Sequence, residues 1–297
     1  MAEAAARRPG TATPAPTLVP WAEAIGAALP PLVVQAERVA ATVMQGVHGR
    51  RQAGQGDSFW QFRPYVPGDA PSRVDWRQSA KSDRVFVRET EWEAAQTVAL
   101  WVDSGAWMDW RHGPELPTKR TRADLLALAL AALLFRGGER VRVFGVPRAH
   151  HGRGALRALA ATLARQQSPP EDPALPRHTR AVMLGDFLGP LEETHRAVGA
   201  LAGRGIRGTM VQVLDPAEET LPFTGRVRFT AVQGPEELVV PRVEGVRALY
   251  AERLAQHRAG LMAIAAGAGW KLLTHRTDAP PEAALLALWQ GLAPAAR

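Results

Sequence analysis

Two short apolar runs in this chain each end in an aspartate: TVALWV runs into Asp103, and AVMLG into Asp186. In open α/β sheets, ligands bind beyond the carboxyl ends of the strands, where the strand order reverses. If the two runs are neighbouring strands, their carboxylates converge at one rim. That rim would suit a divalent cation or a partner's basic group. Each aspartate could equally cap the helix that follows it. The first is followed by Ser104-Gly105-Ala106-Trp107-Met108, which makes Asp103, Ser104 and Asp186 the candidate metal ligands. Their oxygen supply is short. Gly105 has no side-chain oxygen, the Trp107 indole only donates, and Mg²⁺ wants about six oxygens. Ser104 is expected on the strand face opposite Asp103. At most weak Mg²⁺ binding is expected, and no other cofactor. Trp107, Met108 and Trp110 form a candidate apolar rim for a partner, or pack beneath a neighbouring segment.

Other chemistries find little support. The chain has no cysteine, which excludes thiolate metal sites, cysteine nucleophiles and disulfides. His150 and His151 are adjacent and point apart, a poor metal pair. Gly54-Gln55-Gly56 follows no strand and lacks the Lys-Ser/Thr of a phosphate loop, and no Gly-x-Ser-x-Gly elbow occurs. The chain is therefore expected not to be an enzyme. A metal-assisted hydrolase using Asp103 and Asp186 is the alternative. A net charge of +7 raises nucleic-acid binding. However, the arginines are scattered, and the only lysines are Lys81, Lys119 and Lys271. Compositional bias explains this better than a basic arm, so no nucleic-acid partner is expected. No run of 18 apolar residues and no signal-like leader is present. A cytoplasmic location without membrane insertion is expected, with a peripheral position through a partner left open.

The elements that would position the rim alternate. Strands are expected at Thr97–Val102, Val141–Val146, Ala181–Leu184, Thr209–Leu214 and Lys271–His275. Helices are expected at Thr121–Phe135, Gly154–Gln166, Leu191–Ala202, Val246–Ala266 and Pro281–Leu292. A hairpin is expected over Arg226–Val240. This is an α/β chain with a mostly parallel sheet covered on both faces. Before it lie a tail over residues 1–20, too poor in apolar side chains to order itself, and a region 21–96. That region carries a helix from Leu32 to Val47 and a β-rich collar, with strands near Phe59–Phe62 and Val85–Thr90. Trp60, Phe62, Tyr65 and Trp76 crowd the collar, and aromatics so close together are expected to be buried.

The collar carries a specific pattern: Gly54-x-Gly56, Phe59, Arg63-x-Tyr65-x-Pro67-Gly68-Asp69, Arg73-x-Asp75-Trp76, Ser79-Ala80-Lys81 and Glu91-x-Glu93. Further on stand Gly185-Asp186-Phe187-Leu188, Asp215-Pro216-Ala217-Glu218 and YAERLAQH from Tyr250 to His257. Over residues 35 to 292 these resemble the domain of unknown function 58 family. The resemblance implies a von Willebrand factor A-like domain over residues 97–292. It also implies a non-enzymatic adaptor or chaperone-like role with a MoxR-type AAA+ ATPase or its protein client. The family's metal-ion-dependent adhesion site would read Asp-Thr-Ser-Ala-Ser-Met where this chain has Asp103 to Met108, so both ligand serines are replaced and the site is degenerate. The threonine that such sites draw from an earlier loop has no counterpart in the Pro-rich stretch from Ser168 to Thr179. In the collar, one acid and one base of the family pattern are missing together between Gly68 and Arg73. Arg73 and Asp75 are expected to form a salt bridge holding the collar on the sheet.

Overall fold

The computed structural model describes residues 31–45, 59–66, 74–81, 84–90, 96–167, 169–232 and 234–292. The tail expected over residues 1–20 lies outside them, as do Gly54, Gly56, Pro67, Gly68, Asp69 and Arg73 of the collar pattern.

Five parallel strands form the central sheet: β3 (Thr97–Val102), β4 (Arg140–Val143), β5 (Arg180–Gly185), β6 (Arg207–Leu214) and β9 (Lys271–Arg276), in the order β4-β3-β5-β6-β9. A single antiparallel bridge between Val141 and His150 extends the β4 edge. The strands read as continuous apolar runs because both faces are covered. Val98, Leu100 and Val102 of β3 face one core, while Ala99 and Trp101 face the other. The first core holds α1 (31–45), α3 (Lys119–Arg136), α4 (Leu156–Ala164) and α8 (Pro281–Leu292). The second holds α5 (Leu191–Ala202) and α7 (Arg247–Gly267). This is the α/β architecture expected from the alternation, a parallel sheet covered by helices on both faces.

Helix α3 is apolar nearly all round because it is nearly all enclosed, with every residue from Leu125 to Phe135 buried. Each such leucine contributes roughly 1.5–3 kcal/mol by leaving water. Thr118 caps its start by accepting from the Thr121 amide, so the helix begins at Lys119. From β3 the chain returns on one side as β4 and then crosses to the other as β5. Strand order therefore reverses between β3 and β5, and their carboxyl ends diverge around a crevice.

Two small antiparallel ladders lie outside the main sheet. The hairpin β7 (Val227–Thr230) and β8 (Glu237–Val240) turns through Gly234, whose φ of +98° suits glycine. The collar ladder pairs β1 (Phe59–Pro64) with β2 (Phe86–Thr90). Beside it, α2 (Trp76–Ser79) is stitched down by two residues of the collar pattern. Asp75 Oδ1 accepts from the Gln78 amide at 2.9 Å, and Ser79 Oγ accepts from the Phe86 amide at 2.8 Å. Asp75 thus serves as a helix cap; the expected bridge to Arg73 falls outside the described residues. The expectation that the collar aromatics are buried fails for two of them. Trp76 is 69% exposed and Tyr65 38%. A one-turn helix has only one side to press on the ladder, and Trp76 stands on the other.

Candidate functional site

β3 and β5 are adjacent and in register from Val98 and Arg180 to Val102 and Leu184, so the aspartates that follow them share one rim. The Asp103 amide donates to the Leu184 carbonyl at 2.8 Å. Gly185 permits the approach, since a Cβ there would lie 3.1 Å from the Asp103 Cβ.

Beyond Asp103 the chain makes a 3-10 turn, Ala106–Asp109. The turn brings Trp107 back over the strand tip, where its indole Nε1 donates to Asp103 Oδ2 at 2.8 Å while the Gly105 amide donates to Oδ1 at 2.9 Å. The indole lies against Gly105 so closely that a Cβ on that residue would sit 2.1 Å from the ring. Gly105 and Trp107 are thus one device: Gly105 clears the space that Trp107 fills. Burial raises the Asp103 carboxyl above the usual range, the two hydrogen bonds oppose that, and neighbouring Asp186 adds to it.

Asp186 sits differently. It is 4% exposed, and the ammonium of Lys119, itself 1% exposed, lies 2.7 Å from its Oδ2. Lys119 also donates to Glu218 Oε1. Asp186 Oδ1 accepts from the Leu188 amide at 3.1 Å, and its carbonyl accepts from Gln212 Nε2 at 3.0 Å. Glu218 comes from the five-residue helix α6 (Pro216–Thr220), where it completes a capping box with Asp215. Burial pushes the Glu218 carboxyl up, and the Lys119 ammonium pulls against it. Asp215 is fully buried and also receives the His112 amide at 3.1 Å, which ties the β3–α3 loop to α6.

These residues do not fit Mg²⁺. Every carboxylate oxygen of Asp103 and Asp186 already receives a hydrogen, from Gly105, Trp107, Leu188 or Lys119. A buried ammonium also supplies the positive charge between Asp186 and Glu218. A hard dication needs acceptor oxygens turned toward it, and this rim turns donors toward its acceptors.

Above the rim opens a cavity of about 900 Å³, at the upper end of ligand-cleft size (roughly 300–1,000 Å³). Asp103, Ser104, Lys119, Asp186 and Glu218 line its polar part. Trp101, Trp107, Trp110, Phe187, Leu221 and Phe229 line its apolar part, the Trp101 and Phe187 ring centroids 6.2 Å apart. Phe187 and Leu221 hold left-handed backbone at φ 49° and 45°, uncommon for side chains of that size. Phe229 brings the β7–β8 hairpin into the lining.

The structure corrects two expectations at the rim. Met108 is fully buried in the core and unavailable to a partner. Successive side chains of a 3-10 turn diverge by about 120°, so Trp107 faces out where Met108 faces in. Ser104 lines the same cavity as Asp103 because the strand, and its alternation, end at Val102. Sequence reasoning missed Lys119 and Glu218. Both had a signal: Lys119 is one of three lysines in a chain that otherwise uses arginine, and Glu218 lies in the Asp215-Pro216-Ala217-Glu218 stretch. Tyr250, from the YAERLAQH stretch, also lines the cavity, and its hydroxyl donates to the Glu218 carbonyl at 2.5 Å.

A family model described as "Protein of unknown function DUF58" matches residues 61–260. Uncharacterized proteins of Mycobacterium tuberculosis and Mycobacterium bovis are each 30% identical over 278 residues, spanning 86% of this chain and 85% of theirs. Among solved structures, the conserved hypothetical protein BatB from Bacteroides thetaiotaomicron matches at 13% identity with a TM-score of 0.35. That match covers 66% of this chain and 98% of BatB.

Proposed function

The chain belongs to the DUF58 family, and from that premise we propose that it is a non-enzymatic adaptor that engages a MoxR-type AAA+ ATPase, or that ATPase's client, through the cavity between Asp103 and Asp186. The observation that carries this reading is the cavity itself. It stands at the reversal of strand order, its lining is largely aromatic and aliphatic, and the Asp103 and Asp186 carboxylates are held by donors from the same chain. Such a surface suits docking by shape, apolar area and charge. Among the described residues that line it, the Lys119 ammonium is held between Asp186 and Glu218. The partner's identity rests on the family resemblance.

The test is a pull-down of a MoxR-type AAA+ ATPase of the same organism by the full chain, with ATP or a non-hydrolysable analogue, at micromolar protein. Capture that survives chelation of divalent ions from the washed adaptor and is weakened by Trp110→Asp supports the reading. No capture with any nucleotide sinks it.

A further inference from the structure

Among the described residues, four carboxylates line the cavity, those of Asp103, Asp186, Glu193 and Glu218, against the single ammonium of Lys119. This negative concavity belongs to a chain of net charge +7, so it is local and not a reflection of composition. The Lys119 ammonium is spent between Asp186 and Glu218. Asp103 is partly exposed and receives only two N–H donors. Among the described residues no ammonium or guanidinium pairs with its carboxylate. The guanidinium of nearby Arg120 is directed to Asp124 Oδ2 at 2.9 Å, to the Asp103 carbonyl at 3.3 Å and to the Leu163 carbonyl at 3.1 Å. Each Asp103 oxygen accepts one N–H and so keeps a second acceptor site. The Trp107 indole that donates to it is 42% exposed, and Trp110 lines the same cavity.

A carboxylate beside aromatic faces is the chemistry that receives an organic cation. We infer that the cavity binds a partner segment carrying an arginine flanked by apolar residues, the guanidinium meeting Asp103, Trp107 and Trp110 and the flanking side chains meeting Phe187, Leu221 and Phe229. Arginine fits better than lysine, because its planar fork can pair with a carboxylate while stacking on an indole. The polarity is the reverse of a rim that holds a metal ion, which would present a positive charge and draw a partner's acidic group. This inference rests on the adaptor reading and adds what the partner must present.

The test uses the full chain and three blocked tripeptides, acetyl-Leu-Arg-Leu-amide and its citrulline and glutamate twins, with binding followed by NMR and calorimetry in EDTA. The arginine peptide is expected to bind saturably, about tenfold or more tighter than the neutral citrulline twin, with no binding of the glutamate twin. Asp103→Asn is expected to reduce the arginine peptide to the citrulline level while circular dichroism shows the fold unchanged. Equal affinities for the arginine and citrulline peptides, preference for the acidic peptide, or no saturable binding would overturn the inference. Capture of the ATPase separates the two claims. If it persists in Asp103→Asn and under excess arginine peptide, the adaptor reading stands and the arginine pocket falls.

Discussion

Asp103 and Asp186 occupy equivalent places, each just past the end of a central strand, in adjacent register, on one rim. Their surroundings make them different groups. Asp186 is sealed, with a buried ammonium on one oxygen and a backbone amide on the other. Asp103 stays partly open, held by an amide and an indole that bring no net charge. The sealed carboxylate is a structural post and the open one a recognition group, although sequence position alone ranks them equal.

The largest effect expected from breaking this contrast comes from Lys119→Met. It strands Asp186 and Glu218 in a buried site without their cation, and removing one partner of a buried pair typically costs about 3–5 kcal/mol. Urea unfolding should show a loss of that size; a loss under about 1 kcal/mol would mean the triad is not sealed. Acidification comes next and sets the background for any comparison of the two carboxylates. His275 is buried, with Arg122 Nη1 3.4 Å from its Nε2. Burial, reinforced by that guanidinium, lowers its pKa from 6.5 to about 4. The folded protein therefore keeps His275 neutral while the unfolded chain takes up a proton. Stability is expected to fall from about pH 6.5 down to about pH 4, by about 3 kcal/mol in all. His275→Gln should flatten that limb of a Tm-against-pH curve.

Smaller still is the effect of Gly105→Ala. Its Cβ would displace the Trp107 ring, at a cost of roughly 1–3 kcal/mol. Tryptophan fluorescence should report an indole released to water, and an unchanged spectrum would mean the ring does not depend on that gap. The smallest effect belongs to Asp103→Asn. A partly exposed group without an ionic partner should move stability by less than about 1 kcal/mol, so its consequence is expected in binding. Equal losses in Asp103→Asn and Lys119→Met would erase the contrast.

How far the chain could be read in advance follows the reach of each interaction. β3 and α3 were legible because double-sided burial writes itself as an unbroken apolar run, although α3 starts two residues before the expected Thr121. The convergence of the two aspartates followed once their strands were placed side by side. The Lys119 triad was not legible. Its contacts join residues 67 and 99 positions apart, and no local period encodes a meeting over that separation. Trp107 lies only four residues from Asp103, yet its role depended on a 3-10 turn that leaves no apolar pattern. The collar misled for a related reason: crowded aromatics suggested burial, whereas Asp75 and Ser79 secure α2 through polar contacts and leave Trp76 outside.

The fit of the Trp107 ring into the gap at Gly105 couples the two positions. A serine placed at 105 alone drives the indole off its perch, and a serine placed at 107 alone leaves an empty notch beside a carboxylate stripped of a donor. Neither lone change makes an ion cage while Lys119 still neutralises Asp186. Like a key and its keyhole, the two can be recut only as a pair.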